Sequence, residues 1–226
     1  MKRHRSTVGF TLIELLVVVG LIAGLAFLLV RGLSGGRSAA LQSAQATVAN
    51  LISAARTKAM ASGYNARVLV HNDPHSDEAS KKYLRYLVLQ TFDGTTWTSV
   101  SDVFLPHGVG ILPRDLTTPS GLVNPGQLWQ RPSDGTELRS TALRATTEHA
   151  LMVNSTVMEQ WTSINFTPAG TTQNSNALVI GSVISLPPSD GQNFSSPVQF
   201  DHPQSVRGMI ISAYGVTVLV NGHEGF

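Results

Sequence analysis

No cysteine occurs among the 226 residues. That absence excludes disulfides, thiolate metal sites and a cysteine nucleophile together. The chain also lacks the phosphate-cradling G-x-x-x-x-G-K pattern, the dinucleotide fingerprint G-x-G-x-x-G and the zinc-binding H-E-x-x-H. His107, His149, His202 and His223 are scattered and form no ligand spacing. Charge is scarce, at 13% of residues, and unevenly placed. Residues 31–67 hold Arg31, Arg37, Arg56, Lys58 and Arg67 but no acid, whereas residues 68–226 hold 8 basic and 13 acidic side chains. A basic stalk therefore precedes a head of net charge −5. The sequence pI of about 9.2 would point to nucleic acid, but an acidic head is a poor electrostatic partner for phosphates.

One carboxylate stands where a carboxylate is costly. Residues 10–30 form an apolar run of 21 residues broken by Glu14, and about 20 such residues span a bilayer. A charged side chain there costs roughly 2.5–3.5 kcal/mol on insertion scales, which marks Glu14 as a functional residue. Ahead of the run lie Lys2, Arg3 and Arg5 with no acid, a bias that keeps this end cytoplasmic.

The string Gly9-Phe10-Thr11-Leu12-Ile13-Glu14-Leu15-Leu16 resembles the class III signal of type IV pilins and type II secretion pseudopilins. The resemblance implies that a prepilin peptidase cuts between Gly9 and Phe10 and that the new N-terminal Phe10 is N-methylated. It makes Glu14 the fifth residue of the mature chain and the assembly residue. The physical logic is consistent. Glycine lets a protease approach the backbone closely, and Glu14 offers the new amine of a neighbouring subunit a partner, so that two costly charges become tolerable as a pair. Gly20 and Gly24 make a G-x-x-x-G pair, continued in register by Gly32 and Gly36, and small residues at that spacing allow close helix packing in lipid.

Beyond the run the pattern turns amphipathic. Leu41, Ala44, Val48, Leu51, Ile52, Ala55 and Ala59 recur at spacings of three and four, one helical face. Gln42, Gln45, Asn50 and Arg56 are assigned to the other face, and Gly63 stands at the C-cap position. A continuous helix over residues 10–62 would be roughly 80 Å long. Gly32, Gly35 and Gly36 each cost about 1 kcal/mol of helix propensity, so a kink or local melting is expected at residues 32–36. Gly32-Leu33-Ser34-Gly35-Gly36 also matches G-x-S-x-G, but a nucleophile elbow needs a preceding strand, not a membrane helix.

After residue 63 short β-like runs follow: 67–71, 83–92, 96–100, 103–105, 109–112, 150–154, 163–167, 177–186, 207–213 and 216–220. Asp93-Gly94-Thr95 is a hairpin turn. The Pro- and Gly-rich residues 113–136 read as a loop, within a long excursion over about 106–150. The expected fold class is α+β: a long N-terminal helix, transmembrane then amphipathic, packed on a β-rich antiparallel head of consecutive hairpins. The domains are a basic leader 1–9, a transmembrane half 10–30, an amphipathic half 31–62 and a head 63–226. Ile164-Asn165-Phe166-Thr167-Pro168-Ala169-Gly170, the end segment 207–220 and Ala54-Ala55-Arg56-Thr57-Lys58-Ala59-Met60 are similar to stretches of the minor pseudopilin H and minor pilin T group. The layout also resembles that of pilin-like cassette proteins of verrucomicrobia.

Enzyme and ligand signals are weak beside this. His71, Asp73, His75, Asp77 and Glu78 crowd one segment, an oxygen-rich set of the kind calcium favours, but without EF-hand spacing; a polar loop is the simpler reading, and no metal or cofactor is expected. Asn154 and Asn165 open glycosylation sequons. Trp97, Trp129 and Trp161 are expected as core or loop anchors. Lys81, Lys82 and Arg85 are the one cluster able to form a basic patch. The resemblance implies a non-enzymatic filament subunit whose partners are the prepilin peptidase, other pilin or pseudopilin subunits and an inner-membrane assembly platform, with the head outside the membrane. The alternative is a secreted or periplasmic binding module with an ordinary signal peptide, for which Gly24-Leu25-Ala26 provides a small-x-small cleavage site.

Overall fold

The computed structural model describes residues 12–73, 79–114, 138–145, 153, 158–185, 199–200 and 206–226, without the side chains of Glu14, of residues 23–37 and of a few strand ends. The leader and residues 10–11 lie outside this set, as do most of the 113–136 loop and all of the 150–154 run except Val153. The chain divides into two units, Met1–Ala39 and Ala40–Phe226.

Helix α1 (Leu12–Ser62) is the first element. In the first unit its Leu12, Ile13, Leu15, Leu16, Val17, Val18, Val19, Leu21 and Ile22 are between 47% and 81% exposed. Among the described residues no helix is long and apolar enough to cross a membrane. Residues 32–36 are helical, so the expected local melting does not occur there; the glycines weaken the helix without removing a hydrogen-bonding group.

In the second unit α1 ends as its periodicity predicts. Leu41, Ala44, Val48, Leu51, Ile52, Ala55 and Ala59 are all buried. Each fully buried Leu, Ile or Val contributes about 1.5–3 kcal/mol. Gly63 closes the helix in the left-handed region (φ 72°), its N–H donating to the Ala59 carbonyl at 3.1 Å.

Among the described residues ten strands follow: β1 (Ala66–His71), β2 (Tyr86–Phe92), β3 (Trp97–Phe104), β4 (Val109–Ile111), β5 (Arg144–Ala145), β6 (Trp161–Phe166), β7 (Asn176–Ser185), β8 (Gln199–Phe200), β9 (Val206–Ile211) and β10 (Thr217–Asn221), with a short α2 (Ala79–Lys82) before β2 and a 3-10 turn over His223–Gly225. They form two antiparallel sheets, ordered β3-β2-β1-β6-β5 and β10-β9-β7-β4, with β8 beside β7. The α+β class is therefore as expected, but the head is not a chain of consecutive hairpins. β1 pairs with β6 in the register Val68↔Ile164, and β4 with β7 in the register Gly110↔Gly181.

Both sheets share the helical stripe. Val68, Leu89, Ile164 and Phe166 of the first sheet and Leu178, Ile180, Met209 and Ile211 of the second belong to one core with it. The opposite faces are also covered: Leu69, Tyr86, Val88, Val153 and Trp161 form a second cluster, and Tyr83, Leu84, Leu112, Leu138, Ala177, Val179 and Val206 a third. Burial on both faces explains why all six residues of β1 are buried, Arg67 and His71 included.

Three strand boundaries differ from the sequence reading. The run 83–92 is interrupted by Leu84 at φ 56°, so β2 starts at Tyr86. The runs 96–100 and 103–105 are one strand, β3, whose pairing with β2 slips between Leu89 and Gln90; a bulge carries the chain across what polarity alone suggested was a break. Within the excursion 106–150 the expected run 109–112 is present as β4, paired with the distant β7, and a further strand that the sequence reading did not place, β5, pairs with β6.

Candidate functional site

The cleavage residues Gly9 and Phe10 lie outside the described residues. The backbones of Glu14, Gly20 and Gly24 belong to α1, while the Glu14 side chain is outside the described set. A Cβ placed on Gly20 would meet nothing within 4 Å, so in the isolated chain that face is open. Around Glu14 the described side chains are apolar and uncovered on every side of the helix, a surface that suits lipid or neighbouring helices.

Where α1 meets the head, two polar residues hold it, although periodicity puts both on the face away from the apolar stripe. Gln45 is 4% exposed, and its Nε2 donates to the Gly208 carbonyl at 2.7 Å and the Val220 carbonyl at 2.9 Å. It thereby bridges β9 and β10. Eleven residues on, Arg56 Nε donates to the Gly170 carbonyl at 3.1 Å and the Tyr214 carbonyl at 2.9 Å. Those carbonyls sit in two turns that require glycine. In Thr167-Pro168-Ala169-Gly170 the Gly170 N–H donates to the Thr167 carbonyl at 2.8 Å, with φ 74° at Gly170 and Met60 Sδ 2.6 Å from where a Cβ would stand. Gly215 (φ 69°) leaves room for the Gly170 carbonyl 2.6 Å from its own absent Cβ. The helix end, the β6–β7 turn and the β9–β10 turn are thus one assembly, fastened by a guanidinium. The Ala-Arg-x-x-A stretch and the Pro-x-Gly turn were visible in the sequence; that they meet was not.

His71 lies at the end of β1, as the run 67–71 has it, and apart from the polar loop suggested for residues 71–78. It is fully buried, with Nε2 3.5 Å from Glu159 Oε1, and Lys82 Nζ is 3.1 Å from the same oxygen. Trp161 meets the His71 ring edge-on at 5.0 Å between centroids. Asp73 Oδ2 accepts the Gln160 N–H at 3.2 Å. Burial, and next the charge of Asp73, raises the Tyr83 hydroxyl well above the usual phenol range. This cluster gathers a carboxylate, an imidazole and an ammonium group. It ties β1, α2 and the start of β6 together, and an ion pair this buried is costly to break one partner at a time. His75, Asp77 and Glu78 lie outside the described residues, and among the described residues no group of three or more His, Asp or Glu side chains is placed to hold a metal ion. No residue of this cluster was singled out in the sequence for this role; Glu159 carries no local signal at all.

The basic cluster 81–85 does not form a cationic surface. Arg85 is 8% exposed and donates to the Leu105 carbonyl at 3.1 Å; burial lowers its pKa. Lys82 is engaged with Glu159, so of the three only Lys81 is exposed. Trp161 is a core residue, 2% exposed. Trp97 lies half-buried on the first sheet with the Arg67 guanidinium 4.0 Å above its ring. Trp129 lies outside the described residues.

No family model and no curated protein matches this chain. Among solved structures, it is similar to the minor pseudopilin EpsH from the Type 2 Secretion System of Vibrio cholerae, at 13% sequence identity and a TM-score of 0.39, over 80% of this chain and 95% of that one.

Proposed function

We propose that this chain is a minor pilin or pseudopilin-like structural subunit, cleaved between Gly9 and Phe10 and N-methylated at Phe10 by a prepilin peptidase. It stands in a bacterial inner membrane through residues 10–30, with its N-terminus cytoplasmic and its head periplasmic, and from there joins a type II secretion pseudopilus or a type IV pilus-like filament. Its work is assembly and not catalysis. Glu14 pairs with the amine of a neighbouring subunit, Gly20 and Gly24 permit close packing of helices, and an inner-membrane platform drives extrusion. The observation that supports this reading is the uncovered apolar surface from Leu12 to Ile22 around the backbone of Glu14. A side chain set of that kind calls for an environment from outside the chain.

The test is the mature N-terminus. Protein extracted from membranes should begin at Phe10 with one added methyl group, by Edman sequencing and intact mass. Gly9→Val should remain uncleaved yet inserted, since the apolar run is untouched. A chain beginning at Phe27 would instead make it a secreted binding module with an ordinary signal peptide. Normal processing of Gly9→Val would exclude a prepilin peptidase.

A further inference from the structure

We propose that β10 is a docking edge for a second copy of this chain, which pairs its own β10 antiparallel to it about a two-fold axis at Leu219. Among the described residues β10 ends the sheet order β10-β9-β7-β4, and its ladder with β9 is regular from Thr217↔Ile211 to Asn221↔Arg207. Hydrogen bonds at the two ends of the hairpin establish which groups face outward. The Ser212 N–H donates to the Val216 carbonyl at 2.9 Å, and the Gly222 N–H to the Val206 carbonyl at 3.0 Å. By the alternation of an antiparallel ladder, Val218 and Val220 turn their backbone groups to β9, while Thr217, Leu219 and Asn221 turn theirs to the open side.

Sheet edges are normally blunted by charge, proline or bulges. β3, one edge of the other sheet, has two such devices: the slip in its ladder, and Asp102 on the strand. β10 has neither. Thr217-Val218-Leu219-Val220-Asn221 contains no charge and no proline, and its register does not shift. Leu219 pairs with Met209 and so shares the face of the helical stripe, whereas Val218 pairs with Ile210 on the other face. Leu219 is 54% and Val218 62% exposed. An added strand would therefore meet apolar side chains on both sides of the sheet.

The strand's own sequence names the occupant. A two-fold interface must be self-complementary, and β10 is chemically palindromic about Leu219. Antiparallel self-pairing sets Leu219 against Leu219, Val218 against Val220, and the Thr217 hydroxyl against the Asn221 amide. No like charges oppose one another along the seam. The repulsion of two acidic heads acts mainly from farther away, where physiological salt screens beyond about 8 Å. This proposal does not depend on the membrane-anchored reading.

Because the chain has no cysteine, a single introduced thiol reports one position. In full-length protein in detergent, Leu219→Cys should give a disulfide-linked dimer on mild oxidation, since directly paired residues stand about 5.5 Å apart at Cα, within disulfide reach. Tyr214→Cys, more exposed than Leu219 but beyond the strand, should not. Leu219→Pro removes only an outward N–H and keeps the ladder with β9; it should weaken dimerisation on the order of tenfold in analytical ultracentrifugation. Leu219→Lys should do the same by charge if the proline variant loses its circular dichroism. Equal cross-linking at 214 and 219 would overturn the proposal. So would self-association unchanged in the folded Leu219 variants, as expected if the membrane segment alone were responsible, or a chain that stays monomeric on the order of 100 μM.

Discussion

The two ends of α1 use apolar residues in opposite ways. From Leu12 to Ile22 nine large hydrophobic side chains are exposed, on all sides of the helix. From Leu41 to Ala59 the apolar side chains occupy one face and every one of that stripe is buried against two sheets. Hydrophobicity in the second stretch is consumed within the chain and specifies its fold. In the first it is left over and specifies surroundings. Periodicity separates the two cases: a stripe at spacings of three and four has an inside and an outside, and an unbroken run does not.

The largest effect expected from this contrast is on head stability. Ile52→Ala should cost about 2–5 kcal/mol, whereas Leu16→Ala should change head stability by no more than about 0.5 kcal/mol, both followed by near-ultraviolet circular dichroism during thermal unfolding. Equal losses would break the comparison by showing that the first stretch also packs on the head. Intermediate effects are expected from the polar anchors. Arg56→Met, which keeps the aliphatic stem, and Gln45→Leu each leave two strand or turn carbonyls without their side-chain donor and should cost about 1–3 kcal/mol. Hydrogen exchange should accelerate first in β9 and β10. Protection unchanged there would mean that the apolar stripe alone seats the helix.

The smallest effect sharpens the comparison from the exposed side of the head. The Asp93 carboxylate accepts the N–H groups of Thr95 and Thr96, both at 2.8 Å, together with both their hydroxyls. Those bonds hold its pKa below the ordinary value of 3.8. A depressed folded-state pKa gives a contribution present above the unfolded value and lost as pH falls toward the folded one. Wild type should therefore lose stability below about pH 3.8 slightly more steeply than Asp93→Asn, in acid titrations monitored by circular dichroism. Coincident acid limbs would mean that the turn is held by Gly94 at φ 100° alone.

The apolar stripe, the Gly63 cap and the hairpin turn at Asp93 were legible in the sequence because each is a local rule: a period, a left-handed glycine, a side chain folding back on its own backbone. Gln45 and Arg56 were not. A polar residue on a helix reads as solvent-facing unless its acceptors are known, and here the acceptors are carbonyls 114 to 175 residues away. Arg67 and His71 misled for a related reason. A strand flanked on both sides, as β1 is by β2 and β6, and covered on both faces, buries whatever it carries, and periodicity cannot reveal a second cover. The proposed N-terminal site rests on the opposite situation: Gly9, Phe10 and Glu14 lie in a contiguous string that can be read without the head.

The two polar anchors of α1 also have a mechanical meaning. Gln45 holds the base of the β9–β10 hairpin, at Gly208 and Val220, and Arg56 holds its tip at Tyr214. The eleven steps from Gln45 to Arg56 span about 16 Å of helix, and the six steps from Gly208 to Tyr214 about 20 Å of extended chain. The hairpin is therefore strapped lengthwise to the helix at both ends. Tension drawn along the helix would enter the sheet as shear across both straps at once, so peeling cannot begin at one end and run.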